Sequence, residues 1–134
     1  SDGTLDTTFT PNVNLGIDSS VFALLQTNDG KIYVGGSFAS VFEGTYKNLF
    51  RLNSDGTLDT SFNPIDFEGD NLVVNSLHVN SLGYIYVGGS FSTVDGHTYT
   101  SLCKLNPDRT LNTSFANTSY PTISQPSVYT IVET

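Results

Sequence analysis

Ile32-Tyr33-Val34-Gly35-Gly36-Ser37-Phe38 returns letter for letter as Ile85-Tyr86-Val87-Gly88-Gly89-Ser90-Phe91, 53 positions on. A second motif keeps the same step. SDGTLDTTF at Ser1–Phe9 comes back as SDGTLDTSF at Ser54–Phe62 and as PDRTLNTSF at Pro107–Phe115. A period of this length marks an array of similar structural units, each burying its apolar face against the next. The 134 residues hold about two and a half such units.

Between the motifs, short runs of branched and aromatic residues alternate with turn residues, and no window keeps a helical period. Each unit reads as four short strands. The first is Val21–Thr27, then Val74–Asn80, then Val128–Thr134 one residue late, with Leu24, Leu77 and Ile131 in register. The second is Lys31–Phe38 and Tyr84–Phe91; the third is Asn48–Asn53 and Ser101–Asn106. The fourth is Thr57–Phe62, with copies at Thr4–Phe9 and Thr110–Phe115. Asn28-Asp29-Gly30 and Ser54-Asp55-Gly56 supply the Asx side chain and the glycine that tight hairpin turns need. Arg109 stands where Gly56 does, so that turn is expected to be looser or strained. The Gly35-Gly36 and Gly88-Gly89 pairs predict a bulge or a close backbone approach.

Units of about 53 residues in four antiparallel strands are the size of one β-propeller blade. The expected fold is therefore all-β. Residues 1–20 supply the fourth strand and loop of a preceding blade, 21–73 the first blade, 74–127 the second, and 128–134 the opening strand of another. Propellers close with 4–8 blades. Further blades of the same protein, or copies of the chain, are the expected partners. The ragged ends and the missing initial Met favour a piece of a longer chain.

The chain resembles the delta-60 repeat, also described as a DUF5122-type β-propeller repeat. Leu52-Asn53-Ser54-Asp55-Gly56-Thr57-Leu58-Asp59-Thr60-Ser61-Phe62 carries the pattern, with Asp29-Gly30-Lys31 and the Ile32–Phe38 heptad before it. Kelch repeats also carry a Gly-Gly after their second strand, but the absence of Trp makes them the weaker match. The resemblance implies an extracellular or surface-associated propeller with no shared catalytic residues.

Charged residues make up only 13% of the chain and the net charge is −8. Lys31, Lys47, Arg51, Lys104 and Arg109 are scattered, which argues against nucleic acid or an anionic membrane as partner. No apolar stretch reaches membrane-spanning length. A Ser/Thr/Asn-rich, charge-poor composition points to a secreted, cell-surface or virion protein. Cys103 is the only cysteine, so no internal disulfide forms. It aligns with Phe50 and reads as a small core residue.

The copies differ most in two loop sets, and in a propeller these share one face. One set is Thr10–Ser20, Asn63–Val73 and Ala116–Ser127; the other is 42–47 against 95–100. Variable loops on a rigid scaffold are where binding usually resides. Asp66-Phe67-Glu68-Gly69-Asp70 is the densest polar cluster, with Glu43 and His97 expected on the same face. Three carboxylates around a glycine suit Ca²⁺, which takes oxygen ligands, although a solvated acidic loop is the plainer account. Aromatics beside carboxylates and amides suit sugars, and Tyr46, Tyr99, Phe67 and Tyr120 would supply rings. Tyr46 and Tyr99 are repeat equivalents, however, which favours a structural role. His78 aligns with Leu25 and reads as a strand residue. Asn112-Thr113-Ser114 and Asn117-Thr118-Ser119 match the glycosylation sequon by composition alone. There is no G-x-S-x-G, H-E-x-x-H, CxxC or Walker loop.

The leading expectation is thus a non-catalytic structural or adhesive module without a cofactor, binding a glycan or surface protein through its variable loops. A glycan-processing propeller and a calcium-stabilised spacer are the alternatives.

Overall fold

The computed structural model describes residues 2–9 and 16–115. The strand and loops expected over 116–134, with Tyr120, lie outside them. The described residues form nine strands and no helix, so no helix among them is long and apolar enough to cross a membrane.

Two three-stranded antiparallel meanders make up most of the structure. The first joins β1 (Val21–Gln26), β2 (Ile32–Gly36) and β3 (Leu49–Leu52) in that order. The second joins β5 (Val73–Val79), β6 (Ile85–Ser90) and β9 (Leu102–Leu105). Their registers correspond: Gln26 faces Ile32 as Val79 faces Ile85, and Gly35 faces Leu49 as Gly88 faces Leu102. Both first strands carry a bulge at one place, between Val21 and Ala23 and between Val74 and Ser76.

The glycine pairs belong to these bulges. A Cβ on Gly36 would lie 2.2 Å from the Ser20 carbonyl oxygen, and one on Gly89 would lie 1.9 Å from that of Val73. Both positions are therefore closed to any side chain. Gly35 does something else. A Cβ there would meet Val74 Cγ1 at 2.6 Å, so this glycine is the seat into which the second meander's first strand packs. β5 lies on β1 and β2, and the core continues through that contact.

The core holds Tyr33, Phe38, Phe50 and Phe62 in the first repeat and Ile85, Val87, Cys103 and Leu105 in the second. Phe50 faces Val34, and Cys103 faces Val87 in the equivalent place. Burial pushes the Cys103 thiol well above its ordinary range, so it is an inert core group.

The segment expected as a fourth strand makes only a single bridge, Leu58 to Leu52 in one repeat and Leu111 to Leu105 in the other. Turns occupy the rest, built from Asp-x-Thr or Asp-x-Ser. In each, the aspartate Oδ1 accepts from the backbone N–H and the hydroxyl two residues on. Asp2–Thr4, Asp55–Thr57, Asp59–Ser61 and Asp108–Thr110 all do so. Such side-chain bonds offer the backbone an alternative to a ladder. Leu58 and Phe62 still reach the core from this turn ribbon.

The third sheet is built from the divergent loops. β4 (Phe67–Glu68) pairs with β7 (Thr93–Val94), which pairs with β8 (His97–Thr98). Asp95-Gly96 joins β7 to β8 with φ of 47° and 74°, a two-residue turn of type I′.

Candidate functional site

The small sheet knits the loop after the first repeat to the hairpin inside the second, so the divergent segments form an ordered surface. Asp66 N–H donates to Asp95 Oδ1 at 2.8 Å, and Asp95 N–H donates to the Asp66 carbonyl at 2.8 Å. Ser92 N–H donates to the Glu68 carbonyl at 2.8 Å, and Thr93 Oγ1 donates to Glu68 Oε2 at 2.8 Å.

Of the residues expected to bind, Asp66, Glu68, Asp70, Glu43 and His97 are exposed. Phe67 is not, which corrects its expected ligand role: it is 3% exposed and packs on Phe91, ring centroids 5.2 Å apart. Period-two alternation in β4 turns Phe67 into the core and Glu68 out to solvent. Tyr46 and Tyr99 are likewise buried. Their hydroxyls donate to the carbonyls of Phe62 and Asn112, each at 2.9 Å, pinning the turn ribbon in both repeats. Glu43 sits at φ 56° in the turn closed by the Val41–Tyr46 bridge. Among the described residues, no group of three or more His, Cys, Asp or Glu is placed to hold a metal ion.

Two grooves flank Pro64-Ile65. One, of about 260 Å³, lies between Gly44, Thr45 and Lys47 on one side and Asp66 on the other. The other, of about 470 Å³, is shared between repeats, with Arg51, Ser61 and Asn63 facing Asp95, Asp108 and Arg109. Both are lined with charged and hydroxyl side chains beside Pro64 and Ile65, and the larger adds the Asn63 amide. Asp95 and Arg109 were not singled out as binding residues from the sequence. An Asp-Gly pair between Val94 and His97 was the available signal for the first.

Behind the larger groove lies a buried ion cluster. Arg51 Nε and Lys31 Nζ reach Asp59 Oδ2 at 2.8 and 2.9 Å. Arg51 also donates to the Tyr33 hydroxyl at 3.1 Å and to Ser61 Oγ at 3.3 Å, and Lys31 donates to Asn53 Oδ1 at 2.6 Å. Among the described residues, the second repeat solves the same place without an ion pair. Tyr84, Lys104 and Asn112 replace Lys31, Arg51 and Asp59. Lys104 Nζ lies over the Tyr84 ring, 3.9 Å from its centroid, and Asn112 Nδ2 donates to Asn106 Oδ1 at 2.7 Å.

Burial pushes the Asp59 carboxyl up, but the Ser61 and Lys31 hydrogen bonds and the Arg51 charge outweigh it and hold the group well below the usual carboxylate range. A depressed folded-state pKa adds stability above the unfolded value of about 3.9, and that share is lost as the pH falls towards the folded value. The melting temperature should therefore drop as the pH is lowered below about 4. In Asp59→Asn this acid limb should be visibly shallower; an unchanged limb would remove Asp59 from the explanation.

Arg109 takes φ 76° where its counterpart Gly56 takes 87°, so the third turn keeps its shape and carries the strain. That costs about 1 kcal/mol. Its guanidinium donates to the Gly83 carbonyl at 3.1 Å, reaches Asp29 Oδ2 at 4.0 Å and lies over the Tyr33 ring at 5.6 Å. One strained residue thus ties the second repeat to the first.

Comparison with curated proteins and with solved structures gives no match. A family model described as a domain of unknown function (DUF5122) β-propeller matches residues 27–62 and 83–115. Those spans cover the second and third strands and the turn ribbon of each repeat. With two meanders of the same order and register beneath that match, the chain belongs to the DUF5122 β-propeller family.

Proposed function

We propose that the chain is a non-catalytic structural or adhesive part of a secreted, cell-surface or virion propeller, binding a glycan or surface protein through its loop face. Each 53-residue unit is read as one blade, with the turn ribbon standing in for its outermost strand, and further repeats or copies as its neighbours.

The observation that carries the reading is the β4-β7-β8 sheet. It is made from the segments that differ most between repeats, and it holds Asp66 and Asp95 beside the two grooves. Carboxylates beside Pro64 and Ile65 suit a sugar, whose hydroxyls donate while its apolar ring face rests on these two residues. No large movement is needed, because the sheet already fixes the loops.

A glycan array scored for retention and for released product tests this. Retention without product is expected, with binding reduced about tenfold or more in Asp66→Ala, the loss of one charge-assisted hydrogen bond. Released product, or retention indifferent to this substitution, would overturn the reading.

A further inference from the structure

The hairpin inside the first repeat breaks a rule that its counterpart keeps. In the second repeat Val94 pairs with His97 around Asp95-Gly96, two residues that accept positive φ. In the first, the loop opens to the four residues between Val41 and Tyr46, and Phe42, Glu43 and Gly44 take φ of 51°, 56° and 84°. Only the last of the three is a glycine. A bulky phenylalanine is an outlier in this region, so the loop holds its shape against local preference. Nothing among the described residues offsets that strain. The Phe42 ring is 43% exposed and Glu43 lies in solvent. Neither side chain makes a hydrogen bond, ion pair or ring contact with another described residue. The same loop, however, supplies Gly44 and Thr45 to the wall of the smaller groove, across from Pro64, Ile65 and Asp66. Residues that break a local rule with no internal compensation gather at ligand sites.

We infer that Phe42 and Glu43 form the rim of a subsite at this groove for a neutral sugar, the ring stacking against its C–H groups and the carboxylate accepting from its hydroxyls. This rests on the glycan reading of the loop face and narrows it to a residue pair and a sugar class. An aromatic ring supplies contact area at low conformational cost, since it turns on only two bonds. Glu43 and Asp66 offer acceptors from the two sides of the groove, and Lys47 offers a donor. The same two carboxylates, on a chain of net charge −8, repel an acidic sugar. Phe42 thus takes the stacking role that burial denies to Phe67.

The test sets thermal melts beside retention on a glycan array that holds neutral chains and their sialylated forms. Phe42→Asn with Glu43→Gly installs residues that accept positive φ, so this double variant should melt about 2–4 °C above the wild type. It should nonetheless lose neutral-glycan retention about tenfold or more, through ring and carboxylate together. Phe42→Tyr keeps the ring and should stay within about threefold of the wild type. Sialylated forms should be retained about tenfold less than the neutral ones. A double variant that melts below the wild type would show that the ring is there to pack, and one that retains glycans like the wild type would show that the pair touches no sugar. Either overturns the inference, as would Phe42→Tyr losing as much as the double variant, or equal retention of sialylated chains. Retention lost in Asp66→Ala but kept in the double variant removes this pair and leaves the loop-face reading standing. A wild-type chain that retains no glycan overturns that reading and this inference with it.

Discussion

Asp59→Ala should cost about 3–5 kcal/mol in urea unfolding at neutral pH, the loss expected when one partner of a buried ion pair is removed. Asp59 is 5% exposed and Arg51 8%, so neither charge has water to fall back on. Without the carboxylate, Arg51 keeps only Tyr33 and Ser61, and Lys31 keeps Asn53. The loss measures a stranded cation rather than the net worth of the pair. The second repeat shows how to separate the two. Lys31→Tyr, Arg51→Lys and Asp59→Asn together transplant its arrangement, in which a lysine lies over a tyrosine ring and an amide replaces the acid. The triple variant should recover most of what the single one loses. A loss below about 1 kcal/mol for Asp59→Ala, the size seen for exposed pairs, would mean that water reaches the cluster.

Gly89→Ala should be at least as damaging, because its Cβ falls 1.9 Å from the Val73 carbonyl oxygen and 3.1 Å from Val74 Cα. Both obstacles are backbone, held by the bulge between Val74 and Ser76. No rotamer change relieves them, and β5 must move from β6. Overpacking of this kind costs about 3 kcal/mol or more. Gly96→Ala is the comparison. Nothing lies within 4 Å of its Cβ, and only the φ of 74° opposes the change, worth about 1 kcal/mol. Equal losses for the two would show that the bulge gives way, and the steric account would fail.

Much of this architecture was legible because the copies label each other. Strands one to three agree with β1, β2, β3, β5, β6 and β9 to within two residues at each end. The glycine pairs sit at bulges, and Cys103 is in the core, as its alignment with Phe50 implied. The turn ribbon was misjudged because Leu58 and Phe62 look like strand residues, while Asp-x-Thr and Asp-x-Ser carried the opposite message. The loop face was only half legible. Its sheet joins Phe67 to Val94 across two repeats, a pairing that local sequence does not encode. The period gave little help there, since these segments diverge between the copies. Hence Phe67 looked like a ligand-stacking ring until its burial was seen.

The uneven ion cluster also bears on how the chain avoids folding onto itself wrongly. Ile32–Phe38 and Ile85–Phe91 are identical, so the heptad itself allows an outer segment to pair with the wrong copy, a slip of 53 residues. The charges do not. If Arg51–Phe62 lay against β6, Asp59 would face Tyr84 in place of Lys31 and keep one cation instead of two. If Lys104–Phe115 lay against β2, Lys31 and Lys104 would crowd together over Asn112, with no acid between them. Misassembly between near-identical units is a characteristic failure of repeat proteins, and discrimination comes from penalising the wrong partner as well as rewarding the right one. Three substitutions at equivalent positions thus act as an address, telling each outer segment which repeat it belongs to.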